Sequence, residues 1–289
     1  MRKLLLLFLV FGAIKAFGQN KSYDYCYVKG NGVWVYSIAD KKDYLILNPR
    51  SASDVAISPD GKSVAYTVIS VKGDRTLGIM DLNTKNKKTL KTGSQNCFGP
   101  VWSPDGNYIA YNVFDNKKSN WQVAIIKVSG NTSPQILTAQ MLQCMMPTWS
   151  VDSKAVAVQD MQNVYIIDLT GNLTSTYKIS ELNKDWGPSS ADRFIITNNR
   201  IAFSSEENDP VKGVDEPPTA IFIYDLATKS TLRLSPKGYY AWGLVVKGNK
   251  LLFNMEKFRS SIPNIYSVDT DGHNLKMLFS NARDISTKN

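Results

Sequence analysis

A short hairpin pattern recurs along the chain, and this recurrence restricts the folds open to it. Around residues 98–115 an apolar run ends at Trp102, the turn Pro104-Asp105-Gly106 follows, and an alternating run continues from 108 to 111. Proline fixes one φ angle and glycine allows a positive one, so the pattern predicts a β-hairpin. Related hairpins occur at residues 56–66 and 148–158. The sequence therefore predicts a protein built from β-hairpin repeats.

The spacing of the hairpins gives the size of the repeating unit. With Trp102 as the reference position, we place the equivalent positions at Ile57, Trp149, Phe194 and Leu244, with intervals of 45, 47, 45 and 50 residues. This is the length of a propeller blade of four strands, named A to D from the channel outwards. We expect the C strands at residues 76–82, 122–128, 163–169, 220–226 and 264–268, and the D strands at 88–91, 134–138, 175–179, 231–234 and 275–279.

The first blade has no inner strand of its own. Residues 23–28, 32–38 and 44–47 fit strands B, C and D, and no strand A precedes them. The C-terminal segment 283–286 resembles the strand A that ends at Ile57, and Ile285 lies 41 residues after Leu244. We therefore predict an all-β, six-bladed β-propeller with four antiparallel strands per blade. Its first blade is closed by the C-terminal strand, which removes the open sheet edge.

The first 18 residues have the pattern of a cleaved signal peptide. Arg2-Lys3 precedes an apolar run at residues 4–14, and Ala16 and Gly18 place small residues before a cleavage site at Gln19. The apolar run is too short to span a bilayer. We expect a signal peptide at residues 1–18 and a single propeller domain at 19–289, located in the periplasm or secreted. An uncleaved interfacial anchor is the alternative.

The charge distribution argues against nucleic-acid binding. Cleavage of the signal peptide would lower the formal net charge from +9 to +6, and many lysines lie in turns such as residues 85–91 and 117–118. Nucleic-acid-binding proteins concentrate basic residues on one face. We therefore interpret the lysines as a solvated cationic surface.

The chain contains three cysteines, Cys26, Cys97 and Cys144. An odd number leaves at least one free thiol even in an oxidising compartment. Cys97 and Cys144 each precede the tryptophan of their repeat by five residues, which places them at one height on neighbouring blades. We expect both to be buried free thiols; the sequence leaves a disulfide between them open.

The repeat resembles the WD40-like repeat of TolB-type β-propellers. The resemblance is carried by residues 102–106 with 109–111, and by the C-strand ends at residues 167–169 and 223–228, and it covers essentially all of the mature chain. It implies a six-bladed propeller in an exported bacterial protein. The motif is specific for architecture rather than function, because this fold carries binding proteins, accessory domains of peptidases and some lyases.

The sequence contains no recognisable catalytic or metal-binding motif. The only histidine, His273, lies in the predicted turn between strands C and D of blade 6, which falls on the outer rim. Gly-x-Ser-x-Gly, Cys-x-x-Cys, His-Glu-x-x-His and phosphate-loop patterns do not occur. We therefore expect no catalytic residues, no metal site and no cofactor.

The connections from strand D of one blade to strand A of the next converge on the channel mouth. Residues two to five positions before each reference position are therefore expected to line it. The candidate ligand-binding residues are Asp54, Phe98, Met145, Trp186, Tyr239, Tyr240, Trp242 and Arg283, with Ser53, Cys97, Met146, Ser190, Asp192 and Asp284 beside them. Aromatic and thioether groups with a few charges fit a pocket for an apolar or sugar face. The alternative is that these residues plug a narrow channel.

Two loops between strands B and C, at residues 206–219 and 256–263, exceed the length that the repeat needs. They project from the face that carries the D-to-A connections, where recognition usually resides. We predict a monomeric, non-catalytic binding protein that recognises an envelope protein, a peptide or a glycan at this face. One alternative is a lyase or hydrolase that acts on a polysaccharide with Asp54, Asp192 and Asp284. Another is a scaffold protein that docks a partner on a flat apolar face.

Overall fold

The computed structural model of the protein describes residues 21–48, 52–129, 132–184, 189–197, 199–207 and 217–288. The predicted signal peptide at residues 1–18 and the candidate residue Trp186 lie outside these ranges, as do residues 208–216 of the long loop expected at 206–219. Within the described ranges, no helix has the length and apolar character needed to cross a membrane.

The described residues are almost entirely β-strand and turn. The first twelve strands are β1 (Tyr25–Lys29), β2 (Gly32–Ser37), β3 (Lys42–Leu47), β4 (Ala52–Ile57), β5 (Ser63–Ile69), β6 (Arg75–Asp81), β7 (Lys87–Thr89), β8 (Cys97–Trp102), β9 (Tyr108–Asp115), β10 (Asn120–Lys127), β11 (Gln135–Ile136) and β12 (Met145–Trp149). They are followed by β13 (Ala155–Gln159), β14 (Asn163–Asp168), β15 (Leu173–Lys178), the helical turn α1 (Ile179–Leu182), β16 (Phe194–Thr197), β17 (Arg200–Glu206), β18 (Thr219–Asp225), β19 (Ser230–Arg233), β20 (Tyr239–Lys247), β21 (Lys250–Lys257), β22 (Asn264–Asp269), β23 (Lys276–Phe279) and β24 (Ala282–Thr287).

These strands form six antiparallel sheets of four strands each. Blade 1 has the order β24-β1-β2-β3, and blades 2 to 6 are β4 to β7, β8 to β11, β12 to β15, β16 to β19 and β20 to β23. The strand C and strand D segments predicted from the repeat agree with the observed strands to within two residues at each end. The all-β, six-bladed fold predicted from the sequence is confirmed.

The C-terminal strand closes the ring as predicted. Strand β24 pairs antiparallel with β1, so that Tyr25 lies opposite Thr287 and Cys26 opposite Ser286. The Ser286 hydroxyl also accepts a hydrogen bond of 3.0 Å from the Ile57 backbone N–H of blade 2. The two chain ends are therefore joined through one sheet, and blade 1 has no unpaired inner edge.

The repeated hairpin turn follows the geometry expected from its residues. In blade 3, Gly106 has a φ of +75° and its N–H donates to the Ser103 carbonyl at 2.9 Å. The Ser103 hydroxyl accepts from the Tyr108 N–H at 2.9 Å and donates to the Asp105 carboxylate. These bonds close the turn and set strands A and B side by side.

Apolar side chains fill the spaces between neighbouring blades. Between blades 2 and 3, Leu77 and Ile79 pack with Ile109 and Tyr111, and all four are buried. Because both faces of each sheet are covered in this way, the middle strands are apolar on both sides. The cysteines lie in these layers, and all three are buried free thiols, as predicted for Cys97 and Cys144.

The tryptophans of the repeat tie each blade to the one before it. The indole N–H of Trp102 donates to the Ala56 carbonyl of blade 2 at 3.0 Å. The indole N–H of Trp149 donates to the Val101 carbonyl of blade 3 at the same distance. Each indole therefore combines apolar packing with a hydrogen bond across the boundary between blades.

The reference positions predicted for blades 5 and 6 are wrong by two residues. Trp102 lies opposite the first buried residue of strand B in its blade. In blades 5 and 6 the residues opposite the first buried residue of strand B are Ile196 and Val246, not Phe194 and Leu244. Blades 5 and 6 connect strands A and B by two-residue turns instead of the longer Pro-Asp-Gly turn. A shift of two residues preserves the inward and outward alternation of a strand, so the apolar pattern did not reveal it.

Candidate functional site

One residue in strand A, or just before it, lies near the propeller axis in each blade. It lies three positions before the reference position, which is Thr287 opposite Tyr25 in blade 1 and the corrected position in blades 5 and 6. In five blades this residue sits at a β-bulge with a positive φ. These residues are Asp284, Asp54, Gly99, Met146 and Gly243, with φ between +48° and +67°, and Arg193 takes the place in blade 5. We call these six residues the axial ring. A positive φ at aspartate and methionine is strained, which marks the ring as a place where side-chain direction matters.

Buried polar residues of strand B hold the axial ring in place. In three blades such a residue accepts a hydrogen bond from the ring backbone N–H of the next blade. The three bonds run from Gly99 to Thr67 Oγ1 at 3.2 Å, from Met146 to Asn112 Oδ1 at 2.8 Å and from Asp284 to Asn254 Oδ1 at 2.9 Å. A bulge leaves its N–H outside the sheet ladder, and these bonds satisfy it. We call them the inter-blade latches.

The channel consists of two chambers. The face with the D-to-A connections and the B-to-C loops is the loop face, and the opposite one is the turn face. The loop-face chamber has a volume of about 370 Å³, and its lining includes Asp54, Met146, Arg193, Trp242 and Asp284. The turn-face chamber has a volume of about 130 Å³ and is mainly apolar; its lining includes Ile57, Trp102, Trp149 and Val246.

The Arg193 side chain separates the two chambers. It lines both of them. A Cβ atom placed on Gly99 of blade 3 would lie 3.7 Å from Arg193 Nη2, so the guanidinium reaches from blade 5 across to blade 3. Glycine at position 99 leaves the space that this crossing needs.

The charges around Arg193 are only partly compensated. Burial lowers the pKa of Arg193, and the carboxylates of Asp54 and Asp284 act against that change. Burial also raises the pKa of Asp284, with Arg283 opposing the rise and Asp54 adding to it. No hydrogen bond joins the Arg193 guanidinium to another side chain or backbone group in the described ranges. The N–H donors of Arg193 therefore remain available inside the channel.

The Asp54 carboxylate is held within its own blade. Its Oδ2 atom accepts hydrogen bonds from the hydroxyls of Ser53 at 3.0 Å and Thr67 at 2.8 Å. Thr67 is thus shared between the latch to Gly99 and the orientation of Asp54. The ring carboxylate keeps a fixed direction in spite of its strained backbone.

The neighbouring carboxylate, Asp192, lies on the chamber wall but is largely buried. It is 5% exposed, and it accepts hydrogen bonds from the Ser204 hydroxyl and from the Ser189 N–H, the latter at 2.7 Å. Burial raises the pKa of Asp192, and nearby Glu206 adds to the rise. Asp192 therefore anchors the connection into blade 5 and offers little surface to a ligand.

Two of the candidate ligand-binding residues, Asp54 and Trp242, line the loop-face chamber. Arg283 lies at its edge, where Nη1 is 3.1 Å from Asp284 Oδ2. Met145 is buried next to Met146. Asp54 and Trp242 thus line the chamber, whereas Arg283 and Met145 each lie next to a residue that lines it.

The other candidates lie away from the chamber. The ring of Phe98 packs against Trp121 with the centroids 5.0 Å apart, and Tyr240 packs against Phe258 at 4.8 Å. Tyr239 packs on the apolar layer between blades 5 and 6. Trp186 lies outside the described residues. The structure thus separates the predicted set into an axial group and a peripheral group.

Sequence reasoning missed Arg193, and the error in the reference positions explains the omission. With the corrected position in blade 5, the window of two to five residues before it includes Arg193. The same correction in blade 6 brings Gly243 into the window and excludes Tyr239 and Tyr240. The signal that could have found this register is the small residue that strand B repeats as Ala65, Ala110, Ala157 and Ala202.

The described residues contain no group of three or more histidine, cysteine or acidic side chains arranged to hold a metal ion. His273 lies in the C-to-D turn of blade 6, with Nδ1 3.2 Å from Asp271 Oδ1 and 78% of its side chain exposed. The loop-face chamber is lined by one guanidinium, by the carboxylates of Asp54, Asp284 and the largely buried Asp192, and by apolar walls.

Comparisons with known proteins agree with this geometry. A family model described as "TolB beta propeller domain" matches residues 62–288. The Tol-Pal system protein TolB of Thioalkalivibrio sulfidiphilus is 28% identical over 123 residues, which cover 39% of this chain and 28% of that protein. The Tol-Pal system protein TolB of Actinobacillus succinogenes is 39% identical over 56 residues, which cover 19% and 13%. The chain therefore matches less than a third of the length of these curated relatives.

Solved structures share the propeller. TolB from Acinetobacter baumannii superposes with a TM-score of 0.65 at 16% identity, covering 92% of this chain and 66% of that one. A chain of a nidogen/laminin complex gives a TM-score of 0.64 at 10% identity, covering 93% and 99%. At these identities the likeness establishes the fold alone.

Proposed function

Because the chain belongs to the TolB β-propeller domain family, we propose that it is a non-catalytic binding protein of the bacterial envelope. It holds a peptide segment of its partner at the loop-face chamber. The observation that carries this proposal is the axial ring: a guanidinium that makes no hydrogen bond to a described residue stands with two carboxylates in a chamber with apolar walls. Such convergent polar groups in an apolar cavity are the usual features of a ligand site.

The groups in the chamber favour a peptide over a glycan. A peptide backbone offers both donors and acceptors, and the chamber offers the N–H groups of Arg193 together with the carboxylates of Asp54 and Asp284. Trp242 and Met146 add apolar surface for one side chain. Sugar sites stack pyranose rings on aromatic faces. Trp242 is the one aromatic residue that lines this chamber in the described part of the chain, so stacking surface is limited.

The hydrolase or lyase alternative needs an accessible pair of carboxylates. Asp192 does not meet this requirement, because Ser204 and the Ser189 N–H occupy it and it is buried. Asp54 is held by two hydroxyls and faces Arg193 across the ring. These features favour binding over acid and base chemistry on a polysaccharide.

The location follows from the same proposal. The basic and apolar pattern of residues 1–18 and the name Tol-Pal system protein carried by two relatives support export to the periplasm or beyond the cell. The partner would then be an envelope protein. We propose that the propeller acts as a monomer.

The test is capture from envelope extract with chamber variants. Immobilised wild type, Trp242→Ala and Arg193→Met are incubated with extract, cross-linked and compared by mass spectrometry. The control is Trp34→Ala, because Trp34 is a half-buried tryptophan of blade 1 that does not line the chamber. We expect one set of proteins to be captured by wild type and the control and lost by both chamber variants.

A glycan array and a polysaccharide cleavage assay on the same four proteins and on Asp54→Asn test the other classes. If wild type gives specific glycan signals that Trp242→Ala abolishes, the ligand of the chamber is a sugar and not a peptide. If wild type cleaves a polysaccharide and Asp54→Asn does not, the protein is an enzyme. Capture that is unchanged by Trp242→Ala and Arg193→Met would refute the chamber as the binding site.

A further inference from the structure

We propose that the loop face carries a second contact surface, off the axis, which binds an acidic segment of the partner that presents an apolar anchor residue. This rests on the proposed function in one respect, namely that the partner is a protein. The surface is formed by Arg75, Phe98, Phe114, Trp121 and Leu142, and we call it the blade 3 platform.

Three aromatic rings form the base of the platform. The centroid of Trp121 lies 5.0 Å from that of Phe98 and 5.1 Å from that of Phe114, both in edge-to-face geometry. All three rings are partly exposed at the loop end of blade 3. Their mutual contacts fix the rings before any partner arrives, which lowers the entropy lost on binding.

The Arg75 guanidinium lies close to two of these rings. Its guanidinium carbon is 4.6 Å from the Phe98 centroid and 5.2 Å from the Trp121 centroid. Nε and Nη2 both donate to Asn96 Oδ1, at 3.0 and 2.7 Å. The donors on Nη1 have no acceptor in the described part of the chain. A guanidinium beside aromatic rings with free N–H groups is prepared to receive a carboxylate.

Leu142 is an exposed apolar residue at the loop end of blade 3. It is 88% exposed. Its carbonyl accepts hydrogen bonds from the side-chain amides of Asn120 and Gln122, residues that flank Trp121 on strand β10. The backbone at Leu142 is therefore fixed while the side chain remains in water. Desolvation of this leucine together with Trp121 would stabilise a bound apolar residue.

A cleft extends the platform outwards between blades 2 and 3. It has a volume of about 430 Å³, and Phe114 and Lys117 lie on its wall. Its floor includes the buried residues Tyr111 and Val113, and Ile136 completes it. A partner chain that crosses Trp121 can place a second apolar side chain here.

The charge around the platform determines which partner fits. Lys72 and Lys117 are exposed on the adjoining B-to-C loops and form no ion pair with a described residue. Lys118 lies on the same loop as Lys117, and Arg75 lies on the platform itself, while the acids of these loops are Asp74 and Asp115. Four cations against two carboxylates leave a balance of +2. A partner therefore meets net positive charge around an apolar centre.

The test uses two fluorescein-labelled peptides of about 12 residues and fluorescence anisotropy at low and moderate salt. One alternates Asp and Glu with Leu and Trp, and the other has Asn and Gln in place of the acids. We expect the acidic probe to bind, and Trp121→Ala or Arg75→Gln to weaken it by about 30-fold, the effect of losing a central anchor. Lys117→Glu should weaken it several-fold, most at low salt.

The matched control is Lys127→Glu, which makes the same charge change on the turn face of the same blade. Lys127 is exposed at the end of β10 opposite the platform. It should leave binding of the acidic probe unchanged to within about twofold. Arg75→Gln keeps the test decisive if Trp121→Ala lowers stability, because Arg75 lies at the surface of the cluster.

Four results would overturn the proposal. The first two are that the amide probe, or a polyglutamate peptide without apolar residues, binds as tightly as the acidic probe. The third is that Lys127→Glu weakens binding of the acidic probe as much as Lys117→Glu does. The fourth is that the acidic probe does not bind wild type at about 1 mM peptide. None of these results shows whether the loop-face chamber binds the partner. The capture experiment with Trp242→Ala and Arg193→Met tests that separately. If the acidic probe is lost in Trp242→Ala and retained in Trp121→Ala, the platform is refuted and the chamber stands.

Discussion

Replacement of Thr67 by valine tests how the blades are held around the axis. Thr67 is fully buried, and valine has nearly the same shape. The hydroxyl accepts the Gly99 N–H of blade 3 at 3.2 Å and donates to Asp54 Oδ2 at 2.8 Å. The substitution therefore removes one inter-blade latch and one support of the ring carboxylate without opening a cavity.

Both losses destabilise the folded state. The buried Gly99 N–H loses its partner, which costs about 1–3 kcal/mol, and the lost bond to a carboxylate contributes about 1.5–3 kcal/mol. Water in the loop-face chamber can replace part of the hydrogen bonding that the Asp54 carboxylate loses, and the valine methyl group adds apolar contact. Both effects reduce the loss of stability. We expect the free energy of unfolding to fall by about 2–4 kcal/mol, and the melting temperature by roughly 5–10 °C.

Urea unfolding followed by tryptophan fluorescence measures the change. The control is Thr176→Val on the exposed strand β15, where the hydroxyl has no partner among the described residues. That variant should match wild type within about 0.5 kcal/mol. A Thr67→Val protein as stable as the control would show that the latch contributes nothing, and the explanation of the axial ring would fail.

Three further outcomes are expected. Gly243→Ala should lose more than about 2 kcal/mol, because its Cβ would lie 2.3 Å from Asn254 Nδ2, whereas Gly248→Ala, also at positive φ but in open space, should lose about 1 kcal/mol. Burial raises the pKa of Cys144 to about 12, so iodoacetamide should label this thiol at about pH 8 only after unfolding. The raised pKa of Asp284 means that the folded state loses stability as pH rises through it; Asp284→Asn should raise the melting temperature at about pH 7 and leave it unchanged near pH 3.

The closure and the blade count could be predicted from the sequence because they depend on periodicity. The hairpin at Trp102 supplies a turn with a clear residue signature, and its repetition at a constant interval gives the strand order directly. The match of segment 283–286 to the strand that ends at Ile57 then requires a ring. Local turn chemistry and a constant interval were sufficient for this part.

The axial ring could be predicted only in part, because it depends on register rather than on periodicity. Asp54 and Trp242 came from the correct part of strand A, while Arg193 was missed by a shift of two residues that leaves the alternation intact. The latch residues Thr67 and Asn112 appear in the sequence as polar interruptions of an apolar strand. Their partners lie on the next blade, which no local pattern shows.

Closure of the ring by the C-terminal strand is the central claim, and a disulfide test measures it directly. Cys26 lies opposite Ser286 in the pairing of β1 with β24. In a Cys97→Ala, Cys144→Ala background, Ser286→Cys should form a disulfide with Cys26 on mild oxidation, since opposed residues of antiparallel strands lie within bonding range. Thr287→Cys is the control, because its side chain points to the other side of the sheet.

Intact mass after alkylation distinguishes the outcomes. The account predicts that both thiols of the Ser286→Cys protein are protected until a reductant is added, and that the Thr287→Cys protein reacts at its new thiol without reduction. Two reactive thiols in the oxidised and unfolded Ser286→Cys protein would contradict closure by β24.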